Sequence, residues 1–511
     1  MNTRLIRSML APVALVATAA CVDLEVTNPN NPDIARALAS PADVARIAQS
    51  SVQSWYLAAT HYEPAMMLQV TADAATANFG NFGMRFNNEE PRIPYNNQSA
   101  SGDELAARRP WVLHYSAIGA ANDAMKALAN GVTLGTTAKD EVVKSQALWT
   151  QAATLSEIAL LFDKGFVVDE NLEGLPELKS YADMKTAALA KWDALIALTA
   201  GKTWQWDAAA FPMFDVPQVT AAVLNRMAKT MAARLLVLSA RTPSENTATS
   251  WSSVLSYANA GITGTGLIDM DISVTGDGGV NWYDYIKLYG NLDNWTRVDQ
   301  RLINRMDADI PSRFNGVTNQ LVSTPNDNRL GVRVGTCGSN PTTCLTGVTN
   351  DYVDLRTVIG DPGRGITKQS TFYHQRYRAV SFGTPLATHV GKEMIYVLAA
   401  ENDLMIAEAL VRTGGDKARA ATLINKTRVT RGGLTALTGA ESNTALLDAI
   451  DYERDVELLN TNGIVTFADR RRGSTTMFNP GTFRHLPLPA KELEVLNLPI
   501  YTFGGVGSPD M

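Results

Sequence analysis

The chain has 511 residues, of which 45% are hydrophobic and 19% charged, and its formal net charge is −6. This supplies a sizeable core and excludes disorder over most of the length. No block of basic residues is present, which argues against a nucleic acid or an anionic membrane held by charge. Five His and three Cys are too few for a Cys-rich zinc domain or a disulfide-dense scaffold.

Arg4 and Arg7 precede an apolar stretch from Met9 to Ala20, which is shorter than the roughly 20 residues needed to cross a bilayer. Residues 1–20 read as a secretory signal. Thr18-Ala19-Ala20-Cys21 resembles a bacterial lipoprotein cleavage site, in which Cys21 is lipidated and becomes the mature N-terminus. The alternative is an ordinary signal cut after Ala20, leaving Cys21 a free thiol in an oxidising compartment. Removing Arg4 and Arg7 takes the net charge from −6 to −8. Several acyl chains on one cysteine anchor stably, whereas one chain is marginal. Residues 21–39 are then the lipidated N-terminal segment, turn-rich at Asn28-Pro29-Asn30-Asn31-Pro32.

A first helix is expected from Ser40-Pro41-Ala42-Asp43, with Ser40 as N-cap, Pro41 at the first helical position and Asp43 placed to bond back. Its apolar face is Val44, Ile47, Ala48, Val52 and Trp55. Further helical windows are 111–128, 146–162, 181–198, 219–240 and 251–259. Three more follow at 394–411, closed by Gly414, at 417–428, capped by Asp416, and at 446–459. Residues 263–390 are different. Gly, Thr, Asp, Asn and Pro dominate, with short β-like runs at 332–334 and 352–355, so this reads as a loop-rich insert between helical parts 40–262 and 391–511. Cys337 and Cys344 lie in it, with six residues between them in a polar loop, and read as a local disulfide worth roughly 2.5 kcal/mol. A metal site is the weaker alternative, because no His lies nearby.

Catalytic signatures are missing. There is no GxxxxGK[ST], GxSxG or HExxH motif, and Asp269-Met270-Asp271 lacks the rest of a calcium loop. His61, His114, His374, His389 and His485 are scattered without ligand spacing, so no metal and no cofactor are expected. Glu401 with Glu408, and Glu453 with Glu457, have spacings that a glycosidase would permit. They read instead as buried ion pairs, with Arg470, Arg471 and Arg472 nearby to supply guanidinium partners.

The aromatics are unevenly spread. Residues 281–295 hold Trp282, Tyr283, Tyr285, Tyr289 and Trp295, where an even distribution would put about one. They fall among Asn, Asp and Gly and show no helical stripe. A second cluster contains Phe79, Phe82, Arg85 and Phe86, followed by Arg92, Tyr95, Asn96 and Asn97. Ring faces flanked by amides and guanidinium groups suit a sugar, whose C–H faces pack on rings while its hydroxyls bond to polar groups. The same chemistry can hold a peptide, and the same rings can also pin long loops to the helices.

Several segments occur in the order and at the spacing of one family. They are CVDLEVTNPN (21–30), LQVTADAATANFGNFG (68–83), the 111–122 helix, LMIAEALVRTGGDKARAATLINKTR (404–428), DAIDYERDVELL (448–459), FADRRRG (467–473) and LPLPAKEL (486–493). In these the chain resembles the SusD/RagB family of nutrient-binding outer-membrane lipoproteins. The resemblance implies one mainly α-helical domain over 40–511, built of tetratricopeptide-like helix pairs with irregular loops, and no catalysis. It implies a lipid-anchored, surface-exposed protein of the cell outer membrane that passes a glycan or peptide to a SusC-like TonB-dependent transporter. Carried over by region, the ligand-binding residues are Phe82, Arg85, Tyr95, Trp282, Tyr283, Tyr285 and Trp295. Two rival functions are a secreted glycoside hydrolase and a helical-repeat scaffold that binds only protein.

Overall fold

A computed structural model describes residues 34–264, 269–278, 281–290, 292, 295–318, 325–331, 345, 348–359, 361–378, 390–473 and 478–508. The architecture is mainly α-helical. Long helices run Pro41–Ala59, Leu105–Ala129, Thr137–Leu161, Tyr181–Thr199 and Ala221–Leu238, and later Ala399–Arg412, Lys417–Arg428 and Asn443–Glu457. Neighbours in sequence pack as helix pairs, 105–129 on 137–161, 181–199 on 221–238 and 399–412 on 417–428, so each apolar face is covered by the next helix.

Local chemistry sets the helix boundaries. The Ser40 hydroxyl accepts the Asp43 N–H with Pro41 in the first turn, and Asp416 accepts from the Arg419 N–H. Ser180 and Asp183 form a reciprocal capping box on Tyr181–Thr199. Gly414 takes a φ of +69°, the left-handed geometry that ends the 399–412 helix. The 111–128 window begins six residues earlier than its spacing suggested. Leu105–Ala129 runs through Pro110, its sixth residue, where the missing N–H forfeits one bond of the helix.

The window at 394–411 needs a larger correction. Glu393–Val397 is a strand, paired antiparallel with Ile272–Thr275, and the helix starts at Ala399. Met394, Ile395, Tyr396 and Val397 are all buried, and an apolar run of this kind suits a strand covered on both faces, which outweighs continuity with the Ala-rich run behind it. The insert 263–390 contributes two-stranded pairings, among them Tyr352–Asp354 with Phe372–His374 and Ala75–Thr76 with Arg297–Val298. It also holds the short helices Tyr285–Gly290 and Gln300–Met306. The run at 332–334, Cys337 and Cys344 lie outside the described residues, as do residues 1–33 with Cys21.

The main core is aromatic at its centre. Trp55, Trp149, Trp192, Trp206 and Tyr396 are fully buried, and Trp149 meets Trp55 and Trp192 edge-on with centroids 5.4 and 5.1 Å apart. The approach of the C-terminal part is close. A Cβ on Gly463 would lie 2.1 Å from the Ala65 Cβ, so only glycine fits there against the helix Tyr62–Thr71.

Two histidines are sealed in this frame. Burial depresses both His114 and His374 to about 3, so each stays neutral in the fold while an unfolded chain protonates near 6.5. The unfolded state therefore binds more protons between those values, and stability falls as pH drops through that window. The two together should cost about 2.7 kcal/mol per pH unit below 6. In urea unfolding between pH 6 and pH 4.5, where His61 and His485 add to this slope and the raised Asp451 and Asp469 oppose it, His114→Gln should lower the slope by about 1.4 kcal/mol per pH unit relative to the parent.

Candidate functional site: an aromatic platform

The helix Pro41–Ala59 ends at Thr60, and the chain restarts as Tyr62–Thr71. The His61 ring caps that restart, its Nδ1 accepting the Glu63 N–H at 3.3 Å. Glu63 itself has extended dihedrals, which turns the His61 and Tyr62 rings out of the helical stack. Two loops bring further rings to this point. The turn Asn81–Gly83 presents Phe82, held at a φ of +57°. The helix Tyr285–Gly290 presents Tyr285 and Tyr289 one turn apart.

The result is a continuous sheet of eight partly exposed rings, His61, Tyr62, Phe79, Phe82, Tyr283, Tyr285, Tyr289 and Trp295. Tyr62 is its hub, 4.1 Å from His61, 4.3 Å from Phe82, 5.0 Å from Tyr285 and 5.4 Å from Tyr289 between ring centroids. Phe82 stacks on Trp295 at 5.3 Å and 13°. Tyr289 meets Trp295 edge-on at 5.0 Å, and Tyr283 meets Tyr285 at 4.6 Å. Beneath lies a small apolar base of Met66, Val70, Ala75, Ala77 and Met84.

Polar character comes from hydroxyls and from the rim. Burial, then the Glu63 charge, raises the Tyr62 pKa, and burial with Tyr285 raises those of Tyr289 and Tyr283. These phenols remain protonated donors at neutral pH. Burial, then Arg109, lowers His61 to about 4, so its ring is neutral. Rings offering open faces and neutral hydroxyl edges can stack on flat C–H-rich surfaces and bond to hydroxyls.

The two aromatic stretches read from the sequence thus meet, and Phe82, Tyr283, Tyr285 and Trp295 belong to the platform. Arg85 sits at its edge with its guanidinium 4.7 Å over the Phe86 ring. Two expected residues do not belong. Trp282 is 4% exposed and packs into the main core against Tyr56 and Phe211, at 5.2 and 5.5 Å. It pins the insert to the frame. Tyr95 is 1% exposed, its hydroxyl donating to the Asp103 carbonyl at 2.7 Å and its ring against Phe483. Arg92 and Asn97 are likewise buried, on Asp73 and on the carbonyls of Leu488 and Tyr501. Nor is the 281–295 cluster free of helical spacing, since Tyr285 and Tyr289 stack along one helix at 6.1 Å. Tyr62 and His61 escaped notice because they follow a long helix with no neighbouring cluster. Their signal was an aromatic pair beside Glu63-Pro64, where a helix must break.

The acid pairs are structural. Glu408 is held by Arg412 at 2.7 Å, by Arg472 at 2.9 Å and by Arg454. Glu453 is held by Arg329, and Glu457 by Arg329, Arg376 and Arg431. Glu401 takes Arg234 at 2.8 Å. Of the arginine triplet only Arg472 reaches any of these four acids; the insert and the 221–238 helix supply others. All four acids are at most 3% exposed and present no open side to a substrate. Among the described residues, Asp215, Asp271 and Glu393 bring carboxylate oxygens within 4.8 Å of one another. Asp271 is already engaged there, accepting the Ala399 N–H at 2.6 Å at the start of the 399–412 helix.

The two tryptophans of the insert should therefore behave differently. Trp282→Ala empties a core position and is expected to cost about 3–5 kcal/mol in urea unfolding. Trp295→Ala removes a ring that is part-exposed and should cost well under half of that. Equal losses would show that Trp295 is a core residue too.

The chain matches no protein-family model and no curated protein sequence. Among solved structures the likeness is extensive. A SusD superfamily protein from Bacteroides vulgatus aligns at 14% identity over 89% of this chain and 97% of its own, with a TM-score of 0.58. A SusD homolog from Bacteroides thetaiotaomicron aligns at 11% identity over 91% and 97%, with a TM-score of 0.58. A SusD-like carbohydrate binding protein from Bacteroides vulgatus aligns at 12% identity over 83% and 82%, with a TM-score of 0.53. At such identities the likeness is one of architecture, and it spans nearly the whole of each chain: this protein has the SusD fold.

Proposed function

We propose that this chain is a SusD/RagB-type surface lipoprotein that captures an oligosaccharide on the aromatic platform and delivers it uncut to a SusC-like TonB-dependent transporter. The observation that carries the reading is the eight-ring platform, built by two separate loops on a helical frame and left partly open. A structural neighbour described as carbohydrate binding supports it. So does the state of the buried acids, each neutralised by guanidinium groups where a hydrolase needs an accessible pair. Each ring contributes about 0.5–1.5 kcal/mol on stacking, so a single sugar binds weakly and several subsites together give a usable affinity.

Anchoring follows from Cys21. No helix among the described residues is long and apolar enough to cross a membrane, and acyl chains on Cys21 would supply the attachment.

Two measurements test this. In affinity electrophoresis against a polysaccharide panel, Tyr62→Ala and Trp295→Ala should each weaken retention roughly two- to tenfold while leaving the far-ultraviolet spectrum unchanged. Unaltered retention in both variants removes the platform. In membrane fractionation of expressing cells, Cys21→Ala should move the protein from the outer-membrane fraction to the soluble one. Persistence of the variant in the membrane fraction would show that attachment does not depend on this cysteine.

A further inference from the structure

The platform has an electrostatically one-sided edge. The segment 101–109 runs past the turn that carries Phe82, and the first turn of the helix Leu105–Ala129 lies beside Tyr62. Three acids and three arginines meet there. Arg108 donates from Nε to Glu104 at 2.8 Å, and Arg109 donates from Nε to Glu63 at 3.1 Å. Arg85 faces Asp103 from the Phe82 side and draws its carboxyl pKa back against burial. The charges balance in number but not in position. The Glu104 and Glu63 side chains are 1% and 6% exposed, whereas those of Arg108 and Arg109 are 38% and 40% exposed. The Glu104 and Glu63 carboxylates are turned inward, whereas the Arg108 and Arg109 guanidinium groups are open to solvent.

Two further features mark this edge as more than packing. Arg108 and Arg109 are the fourth and fifth residues of a 25-residue helix, close to the dipole end that favours anions. Both arginines also engage their anchors through Nε, which leaves the terminal Nη pair of each as a planar fork suited to a carboxylate or sulfate. On the far edge the acid near Tyr283, Asp277, is turned into the backbone N–H groups of Asn281 and Trp282, at 2.8 and 3.0 Å. The rim that a ligand meets beside Tyr62 is cationic.

We infer that the platform selects an acidic glycan, one whose sugars carry carboxylate or sulfate groups, with Arg108, Arg109 and Arg85 reading the charge while the rings read the sugar faces. This rests on the glycan-capture reading and adds the ligand class to it. Ring stacking alone tolerates any flat sugar face; the forked donors separate charged polymers from neutral ones.

The test uses the full mature protein in affinity electrophoresis. The acidic gels contain polygalacturonate, alginate or chondroitin sulfate, and the neutral ones starch, xylan or galactan. The expected result is stronger retention by at least one acidic polymer than by every neutral one, falling as NaCl rises from 50 to 500 mM. Methyl-esterified pectin serves as the charge-free match of polygalacturonate. The double variant Arg108→Gln, Arg109→Gln should lose retention on the acidic gel roughly tenfold, with Arg109→Lys intermediate because it keeps charge without the fork. If the double variant melts early, Arg85→Gln carries the same comparison. Retention by neutral polymers alone, or retention insensitive to salt and to all three variants, overturns the acidic selection and leaves the platform standing. Retention by none of the polymers, or by poly-glutamate alone, overturns the glycan reading itself.

Discussion

Three consecutive arginines hold the molecule together. Successive residues of a helix point about 100° apart, so Arg470, Arg471 and Arg472 fan out from the helix Val465–Arg472 in three directions. Arg470 bonds Asp455 and the carbonyl of Ala72, which closes the helix Tyr62–Thr71. Arg471 donates to the carbonyls of Leu160 and Leu238, at 2.8 and 3.0 Å, which end two long helices. Arg472 bridges Glu408 and the Asn246 side chain. Helix C-termini carry carbonyls without internal partners and a negative dipole end, so buried cations at those ends satisfy both. Removing one partner from such a buried pair typically costs about 3–5 kcal/mol, since the other charge stays buried.

That clamp is also what fixes the site. Ala72 is the C-cap of the helix whose first turn presents Tyr62, and Gly463 lets the C-terminal segment press directly on Ala65 of the same helix. The platform hub is therefore seated on a closely packed and hydrogen-bonded junction. The rings contributed by loops gain order from it. Phe82 and Tyr289 touch Tyr62, and Trp295 touches both of them. A mobile loop ring would give up conformational entropy on binding; rings already locked edge to face lose little.

Most of the frame was legible in the sequence, because helix boundaries are written in local chemistry. Ser40, Ser180, Asp416 and Gly414 act within one turn of their own positions. Tertiary competition was not legible. Met394–Val397 has a sequence that either a helix or a strand would accept, and the decision lies with Ile272–Thr275, more than a hundred residues away. The site was half legible for the same reason. Counting rings in a window found two loops whose rings meet but carried no phase, so Trp282, facing the core, looked the same as Tyr283, facing out. Tyr95 was misread likewise, since an Asn-rich flank suggests solvent while Asn97 is in fact bonding buried carbonyls. The acid pairs were read correctly as structural, although most of their guanidinium partners come from distant segments that spacing cannot reveal.

An open patch of rings is ordinarily a liability, since contiguous apolar surface invites association. Here three features contain it. The hydroxyls of Tyr62, Tyr283, Tyr285 and Tyr289 interrupt the apolar face with donors. The adjoining edge carries Arg108 and Arg109, whose exposed charge keeps water near one side of the rings. The whole chain keeps a net charge of −6, which opposes self-association. A surface wet at its edges and rigid in its middle binds without first having to fold or close. Its affinity is then limited by shallow contact rather than by reorganisation, and release is correspondingly fast. The proposed delivery role would need both properties, because a deep pocket that held one sugar tightly would compete with the next carrier for it.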